Sequence, residues 1–266
     1  MRACSLGTIA CLFSGLLFVG GCKSMTPGDL DRVQTTSDQP LVGNVYLLRG
    51  FIGIWSYGIN TLGRRVSEAG IRASIYQEDQ WSDLCSRIID RYQASTDHEP
   101  LILIGHSYGA DDTLRMAKRM EEHNIAVDLI ITLDPVTPPK VPANVKLCYN
   151  IYQPSLLDSL PFFRGVALVS EAPDGSNLRN VNIRKERRDL LNSDTDHFNI
   201  EKNEKIHAEV VKILKEFCPP RAQWLAQRQS GRLTSGLPVM SPETAAPASF
   251  ESRRLGNREQ SSEPVR

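Results

Sequence analysis

The chain has 266 residues, of which 41% are hydrophobic and 23% charged, a composition typical of globular proteins. Basic and acidic residues number 31 each, so the net charge of zero argues against a nucleic-acid-binding protein, which normally carries a basic excess. The charge is unevenly spread, because residues 219–266 hold seven Arg and four Glu. Subtracting this excess of three, and Arg2, leaves a net charge of −4 for residues 22–218. The part expected to fold is therefore mildly acidic.

The first 21 residues have the pattern of a secretory signal, since an uncharged, mostly apolar run over 3–21 follows Arg2. Val19-Gly20-Gly21-Cys22 resembles the bacterial lipobox, in which the cysteine is lipidated before cleavage makes it the new N-terminus. This resemblance implies a signal peptide over 1–21 and a lipid anchor on Cys22. The residue after the cysteine is Lys23, whereas an Asp at this position favours retention in the inner membrane. The resemblance therefore implies a lipoprotein of the bacterial cell envelope, held at the outer membrane and facing the periplasm. The alternative is an uncleaved helix, because about 20 apolar residues can span a bilayer.

The cysteines give no sign of a metal centre. Of the six in the chain, Cys85, Cys148 and Cys218 remain once the signal is removed and Cys22 is acylated. No pair among them has the spacing of metal ligands, so we expect no metal and no cofactor. A disulfide between Cys148 and Cys218 is left open, as is the oligomeric state.

Between two polar segments the chain alternates strand and helix patterns. Residues 22–40 are polar and predicted to form a tether, and residues 219–266 are predicted to be a disordered tail because they lack apolar periodicity. The predicted strands are 44–48, 71–76, 101–105, 129–133, 145–152 and 180–183, and the main helical periodicities lie at 55–66, 81–92 and 206–217. Such alternation predicts an α/β domain over 41–218, a mostly parallel sheet with helices on both faces.

The motif Gly105-His106-Ser107-Tyr108-Gly109 follows a continuous apolar strand and precedes a helical segment. This is the pattern of a nucleophile elbow, which presents a serine on a tight strand-to-helix turn. The flanking glycines are needed because side chains there would collide with neighbouring backbone. The motif therefore predicts Ser107 as a nucleophile, with the backbone N–H of Tyr108 placed to bind an oxyanion.

A serine nucleophile needs a base that is held by an acid. His197 is the predicted base, since it lies in a polar loop before the last helix, whereas the other four histidines fall in a loop before the elbow, in helices, or next to Ser107. Asp134 is the predicted acid because an apolar strand delivers it to the sheet edge. Asp158, after the next strand, remains an alternative.

The order Ser107, Asp134, His197 within residues 41–218 resembles the α/β-hydrolase superfamily, and in particular its lipases and esterases. Leu-Asp-Pro at the acid position resembles the pancreatic-lipase group. Arg49-Gly50-Phe51 matches the family's His-Gly-aromatic oxyanion loop with Arg in place of His, which implies a second oxyanion donor at the Phe51 amide.

These residues predict a hydrolase of small-molecule or lipid esters, held at a membrane through Cys22. Two alternatives stay open: a serine peptidase or amidase of the envelope, and a non-catalytic lipoprotein that uses the fold as an interaction platform. An apolar group within 154–175 is compatible with either a small lid or a loop packed on the core. It comprises Leu156, Leu157, Leu160, Phe162 and Phe163.

Overall fold

The computed structural model describes residues 26–50, 57–154 and 165–230. Within them, six strands form one sheet in the order β2-β1-β3-β4-β5-β6, and every neighbouring pair is parallel. The strands are β1 (Asn44–Leu48), β2 (Arg72–Tyr76), β3 (Leu101–His106), β4 (Leu129–Leu133), β5 (Cys148–Tyr152) and β6 (Leu178–Asn182). Their carboxyl ends therefore lie along a single edge, hereafter the carboxyl edge.

Helices cover both faces of this sheet. They are α1 (Tyr57–Glu68), α2 (Trp81–Gln93), α3 (Tyr108–Glu122), α4 (Glu204–Phe217) and α5 (Arg221–Gln229). Side chains of α1 and α4 pack in one buried cluster with Val45 and Leu47 of β1, whereas α2 and α3 pack in a second with Tyr46 and Leu48. Successive residues of a strand point to opposite faces, so one apolar strand supplies both clusters.

The predicted α/β-hydrolase fold is confirmed, and the strands lie within three residues of their predicted starts. β1 and β4 have the predicted bounds, because each is a short apolar run that is buried along its whole length. β5 begins at Cys148 rather than at residue 145, since residue 145 is joined to Val127 only by an isolated bridge. No helix in the described parts of the chain is long and apolar enough to cross a membrane.

Residues 22–40 were predicted to be a tether, but residues 26–40 pack against the domain. Val33 is 2% exposed and packs on the face that α2 covers, although its neighbours in sequence are polar. Tyr46 Oη donates to the carbonyl of Gln34 at 2.5 Å, and Asn44 Nδ2 donates to that of Thr35 at 2.8 Å. The apolar side chains of Val33 and Leu30, together with hydrogen bonds from side chains of β1 to backbone carbonyls, therefore hold this polar segment against the domain.

The prediction that the chain is disordered over residues 219–266 is wrong for residues 221–229, which form α5. Pro220 is the N-cap residue that precedes the helix, and Trp224 is buried, with 6% of its surface exposed. Arg221 Nη1 lies 2.6 Å from Oε1 of Glu99, a carboxylate with no exposed surface, and the Arg221 amide donates to the carbonyl of Pro40. The helix is thus fixed to the domain by one aromatic side chain and by ion pairs of Arg221 with Glu99 and of Arg228 with Asp97, which apolar periodicity does not detect.

Several predictions fall outside the described residues. These are the signal peptide, the lipidation site Cys22, the oxyanion donor Phe51, the alternative acid Asp158, the apolar group of 154–175 and the tail from residue 231. Cys148 and Cys218 are both described, and each is buried as a free thiol, as is Cys85. The disulfide that the sequence left open is therefore not formed.

Candidate active site

Ser107 lies between β3 and α3 in a conformation that few L-residues adopt. Its φ of 56° and ψ of −125° place it in a sparsely populated region of backbone space, and its amide donates to the carbonyl of Leu133 at 3.0 Å. Strain of this kind persists only where the surrounding structure enforces it, and it is concentrated at functional sites. The turn leaves Ser107 at the carboxyl edge with 7% of its surface exposed.

The glycines of the motif permit this turn because backbone approaches them closely. A Cβ on Gly105 would collide with the carbonyl group of Gly109, and one on Gly109 would lie 2.7 Å from the carbonyl oxygen of Leu48. Both contacts are to backbone, which cannot move aside without shifting β1 or α3. The two glycines therefore have the steric role that the sequence predicted.

His197 lies beside Ser107 although 90 residues separate them along the chain. Its Nε2 is 3.1 Å from Ser107 Oγ, which is hydrogen-bonding distance. The loop that carries His197 is held through Thr195, two residues before it. Asn203 Nδ2 donates to Thr195 Oγ1, and Arg184 Nη2 donates to the Thr195 carbonyl. The imidazole is thus held in place by buried polar contacts rather than by regular secondary structure.

Asp134 stands behind His197 at the end of β4. Its Oδ2 lies 3.4 Å from His197 Nδ1, and neither atom has a hydrogen-bond partner elsewhere in the described residues. Its Oδ1 accepts from the Gln153 amide at 2.8 Å, and its φ of 48° is a second strained backbone position. Complete burial raises the pKa of this carboxyl, while the approach of His197 acts in the opposite direction. The structure thus brings together Ser107, His197 and Asp134.

His106 was not predicted as a functional residue, yet it contacts the base. Its Nε2 lies 2.9 Å from the backbone carbonyl oxygen of His197, and the two rings are 5.3 Å apart. Burial lowers the pKa of His106 to about 3, so the ring is neutral at physiological pH. The imidazole of His106 is thus directed at the backbone of the loop that carries the base.

Two further residues support the acid. Asp111, in the first turn of α3, accepts from the amides of Val136 and Thr137 at 3.0 and 2.8 Å, and so fixes the chain just after Asp134. Gly165 lies against Asp134 so closely that a Cβ there would collide with Oδ1. Neither contact has a signal in the sequence, because each joins distant segments.

The oxyanion donors are only partly within the described residues. Tyr108 is the first residue of α3, where helix N–H groups and the helix dipole favour negative charge. Arg49, which stands in place of the family's histidine, is 5% exposed and donates from Nε to Asn60 Oδ1 at 2.9 Å. Its side chain is therefore directed into the protein, toward α1.

Another buried carboxylate near the site belongs to Glu201, four residues after His197. Glu201 has no exposed surface and faces the amides of Gly58 and Ile59 at the start of α1. A Cβ on Gly58 would lie 2.6 Å from the carbonyl carbon of Glu201, so the two segments are in close contact. Burial raises the pKa of Glu201 from 4.5 to about 7, and the charge of Lys202 and, to a smaller extent, the two amides oppose this only in part.

A thioesterase-domain family model matches residues 65–150, a span that contains both Ser107 and Asp134. Similar solved structures include a cutinase-like protein from Cryptococcus sp., at 14% identity over 68% of this chain and 96% of that one, with a TM-score of 0.41. Est1E from Butyrivibrio proteoclasticus is 13% identical over 67% and 89%, with a TM-score of 0.41. A serine hydrolase without lid from Xanthomonas campestris is 15% identical over 73% and 88%, with a TM-score of 0.40. None of the curated proteins is detectably similar in sequence. The family match and the elbow together support a serine hydrolase of α/β fold.

Proposed function

We propose that the protein cleaves carboxylic esters through an acyl-enzyme on Ser107, with His197 as the base and Asp134 as the acid. The observation that carries this proposal is the aligned approach of three groups: Oγ of Ser107 is 3.1 Å from Nε2 of His197, whose Nδ1 is 3.4 Å from Asp134. Apo sites often have long catalytic hydrogen bonds that shorten when substrate binds. Asp134 is favoured over Asp158 because its carboxylate already faces the imidazole.

The reaction begins when Ser107 Oγ attacks the ester carbonyl carbon while its proton passes to Nε2 of His197. The carbonyl oxygen becomes an oxyanion, which the amides of Tyr108 and Phe51 stabilise. Asp134 stabilises the imidazolium, which then protonates the departing alcohol as the carbon–oxygen bond breaks. Water then attacks the acyl carbon and gives a proton to His197, which passes it to Ser107 Oγ as the bond between the acyl carbon and Oγ breaks and the acid product leaves.

Thioesters are the second candidate substrate class, and the family match over 65–150 is what favours them. The same acyl-enzyme forms in both cases, with a thiol leaving in place of an alcohol. A panel of p-nitrophenyl esters of increasing chain length, acyl thioesters and peptide p-nitroanilides separates ester, thioester and amide hydrolysis. We expect esters or thioesters to exceed the anilides by at least about 100-fold in kcat/KM, a difference of roughly 2.7 kcal/mol in transition-state binding.

A fluorophosphonate probe tests the nucleophile directly. We expect the wild type to form a covalent adduct and Ser107→Ala to form none, while Ser86→Ala, which removes a hydroxyl bound to the Ser82 carbonyl on α2, labels normally. Equal labelling of the wild type and Ser107→Ala would contradict the proposed nucleophile. No adduct in any of the three folded proteins would favour the interaction platform.

We also propose that Cys22 is acylated and holds the enzyme at the bacterial outer membrane, facing the periplasm. The lipobox resemblance of residues 19–22 supports this, because multiple acyl chains anchor a protein where one chain does not. Globomycin should cause the unprocessed precursor to accumulate, and Cys22→Ala should abolish incorporation of labelled palmitate. Unchanged electrophoretic mobility with globomycin would contradict the anchor.

A further inference from the structure

Residues 28–41 run from the carboxyl end of β2 to its amino end, along the face of the sheet that α2 covers. The Gly28 amide donates to the carbonyl of Ile75, near the carboxyl end of β2. The Leu41 amide donates to the carbonyl of Gly70, just before β2 begins. Asp31 pairs with Arg87 of α2 between these two points. The chain therefore enters the described domain at the carboxyl edge and not at the opposite one.

This entry point is near the candidate active site. β2 and β3 are separated only by β1, and neighbouring strands lie about 4.8 Å apart, so the ends of β2 and β3 are about 10 Å apart. Ser107 directly follows β3. The N-terminal attachment and the nucleophile thus share one edge of the sheet.

The stretch from Cys22 to Gly28 is short compared with the domain. Six residues span at most about 20 Å when fully extended. A domain of about 200 residues is roughly 40 Å across. A lipid on Cys22 can therefore reach a bilayer at the carboxyl edge, but it cannot pass around the domain to a bilayer at the opposite edge.

Side chains at the carboxyl edge suit a membrane interface. Among the described residues, four large hydrophobic side chains are exposed, and two of them lie here: Tyr57 at the start of α1, 56% exposed, and Phe198 beside His197, 45% exposed. Aromatic rings are favoured at the level of lipid headgroups. Exposed charges of both signs lie at the same edge, so the aromatic rings, and not a basic patch, favour a membrane interface. These charged residues are Arg184 and Lys185, just after β6, and Asp194 and Asp196, beside His197.

We propose that the carboxyl edge faces the bilayer that holds the lipid of Cys22, so that the active site takes its ester substrates from amphiphiles of that membrane. This inference rests on the proposed acylation of Cys22. The partner surface is the bilayer itself, and the substrate class is an ester or thioester carried by a membrane-resident molecule.

Fluorescence quenching measures this orientation without depending on catalysis. The full-length acylated protein is placed in vesicles of phosphatidylethanolamine and phosphatidylglycerol that contain a headgroup-quencher lipid, with a maleimide dye on Lys185→Cys or on Glu122→Cys. Both residues are exposed, but Glu122 ends α3, about 20 Å from the carboxyl edge. The native cysteines of the described domain are buried and should not react.

We expect the dye at residue 185 to be quenched at least twice as strongly as the dye at residue 122. Equal quenching, or stronger quenching at 122, overturns the proposed orientation. Mass spectrometry that finds no lipid on Cys22 overturns it as well. Hydrolysis of a short, water-soluble ester is measured in parallel. Absence of this activity would contradict the proposed chemistry, and the quenching would still test the orientation independently.

A spacer variant tests the link to substrate. Inserting 20 Gly/Ser residues between Ser24 and Met25 lengthens the free stretch about fourfold, and effective concentration falls roughly as the −3/2 power of length. We expect hydrolysis of a vesicle-embedded ester to fall by about tenfold, and hydrolysis of the soluble ester to stay within twofold. Equal rates on the embedded ester with and without the spacer overturn the proposed access from the membrane.

Discussion

His106 Nε2 donates a hydrogen bond of 2.9 Å to the backbone carbonyl of His197. The residue next to the nucleophile therefore holds the backbone of the base, and the two are positioned as one unit. The neutral ring carries its single proton on Nε2 to make this bond, which the lowered pKa of about 3 maintains throughout the physiological range. His106 is accordingly a positioning residue.

Replacing His106 with Ala should lower kcat by about 10- to 100-fold and leave KM within about twofold, because a displacement of the base near 1 Å can cost 100-fold in rate. His106→Gln retains a donor at a similar reach and should recover most of the lost kcat. Steady-state kinetics on a soluble ester, with thermal unfolding as a folding check, measures both. If Gln and Ala are equally impaired at equal stability, the hydrogen bond has no positioning role.

Asp134→Asn should lower kcat by about 10⁴-fold, since an amide favours the wrong tautomer of the base. The free energy of unfolding at pH 7 should not fall, because burial already raises the pKa of this carboxyl and an uncharged group costs less to bury. Kinetics and chemical denaturation measure the two quantities separately. Asp158→Asn is the matched control and should keep its activity; the opposite result would move the acid to Asp158.

Glu201 should make the protein less stable as pH rises. Its pKa is 4.5 when unfolded and about 7 when folded, so between these values the folded state binds more protons and the free energy of unfolding falls with increasing pH. The effect approaches about 3 kcal/mol. Glu201→Gln cannot ionise, so its advantage over the wild type should be small at pH 5 and largest near pH 8. Denaturation at both values measures it, and parallel pH dependence in the two proteins would contradict the assignment.

A chain that ends at Cys218 should be less stable than one that ends at Ser230, because it leaves the buried Glu99 carboxylate without Arg221. Removing one partner of a buried ion pair costs about 3–5 kcal/mol. Arg221→Met tests the same contact without truncation and should lose a similar amount, while kcat of the folded fraction stays unchanged because the pair is at the amino-terminal side of the sheet. Equal midpoints of denaturation for the two chain lengths would show that α5 adds nothing.

The inner strands were predictable because each is a short, largely apolar run with both faces buried, as in β3 and β4, whereas the outer strands β2 and β6 are only partly buried. The elbow was predictable because its constraints are local: Gly105 and Gly109 are needed by the turn that contains them. His197 and Asp134 were found from chain order and from the strand that precedes the acid, and the structure places both side chains beside Ser107.

What the sequence did not predict depends on contacts between distant segments. Arg221 reaches Glu99 across 122 residues, and Gly165 approaches Asp134 from another loop. Such contacts leave no periodic signal, because a single polar or small residue is enough to make each one. The packing of residues 26–40 was missed for the same reason: only Val33 and Leu30 contribute apolar side chains from this polar stretch, and hydrogen bonds to its backbone carbonyls supply the remaining contacts.

The Glu99 carboxylate joins three parts of the chain, since it accepts from the amides of Ser37 and Gly43 and pairs with Arg221. Arg221 lies near the end of the described sequence and is synthesised long after Glu99. A chain still being synthesised therefore contains the Glu99 carboxylate and both amides before it contains Arg221. Closing a loop of this length is a slow, entropically costly step that local contacts cannot accelerate. We therefore expect a chain that ends before residue 221 to fold with weaker protection: the amide hydrogens of the segments joined by Glu99 should exchange faster than in a chain that includes Arg221.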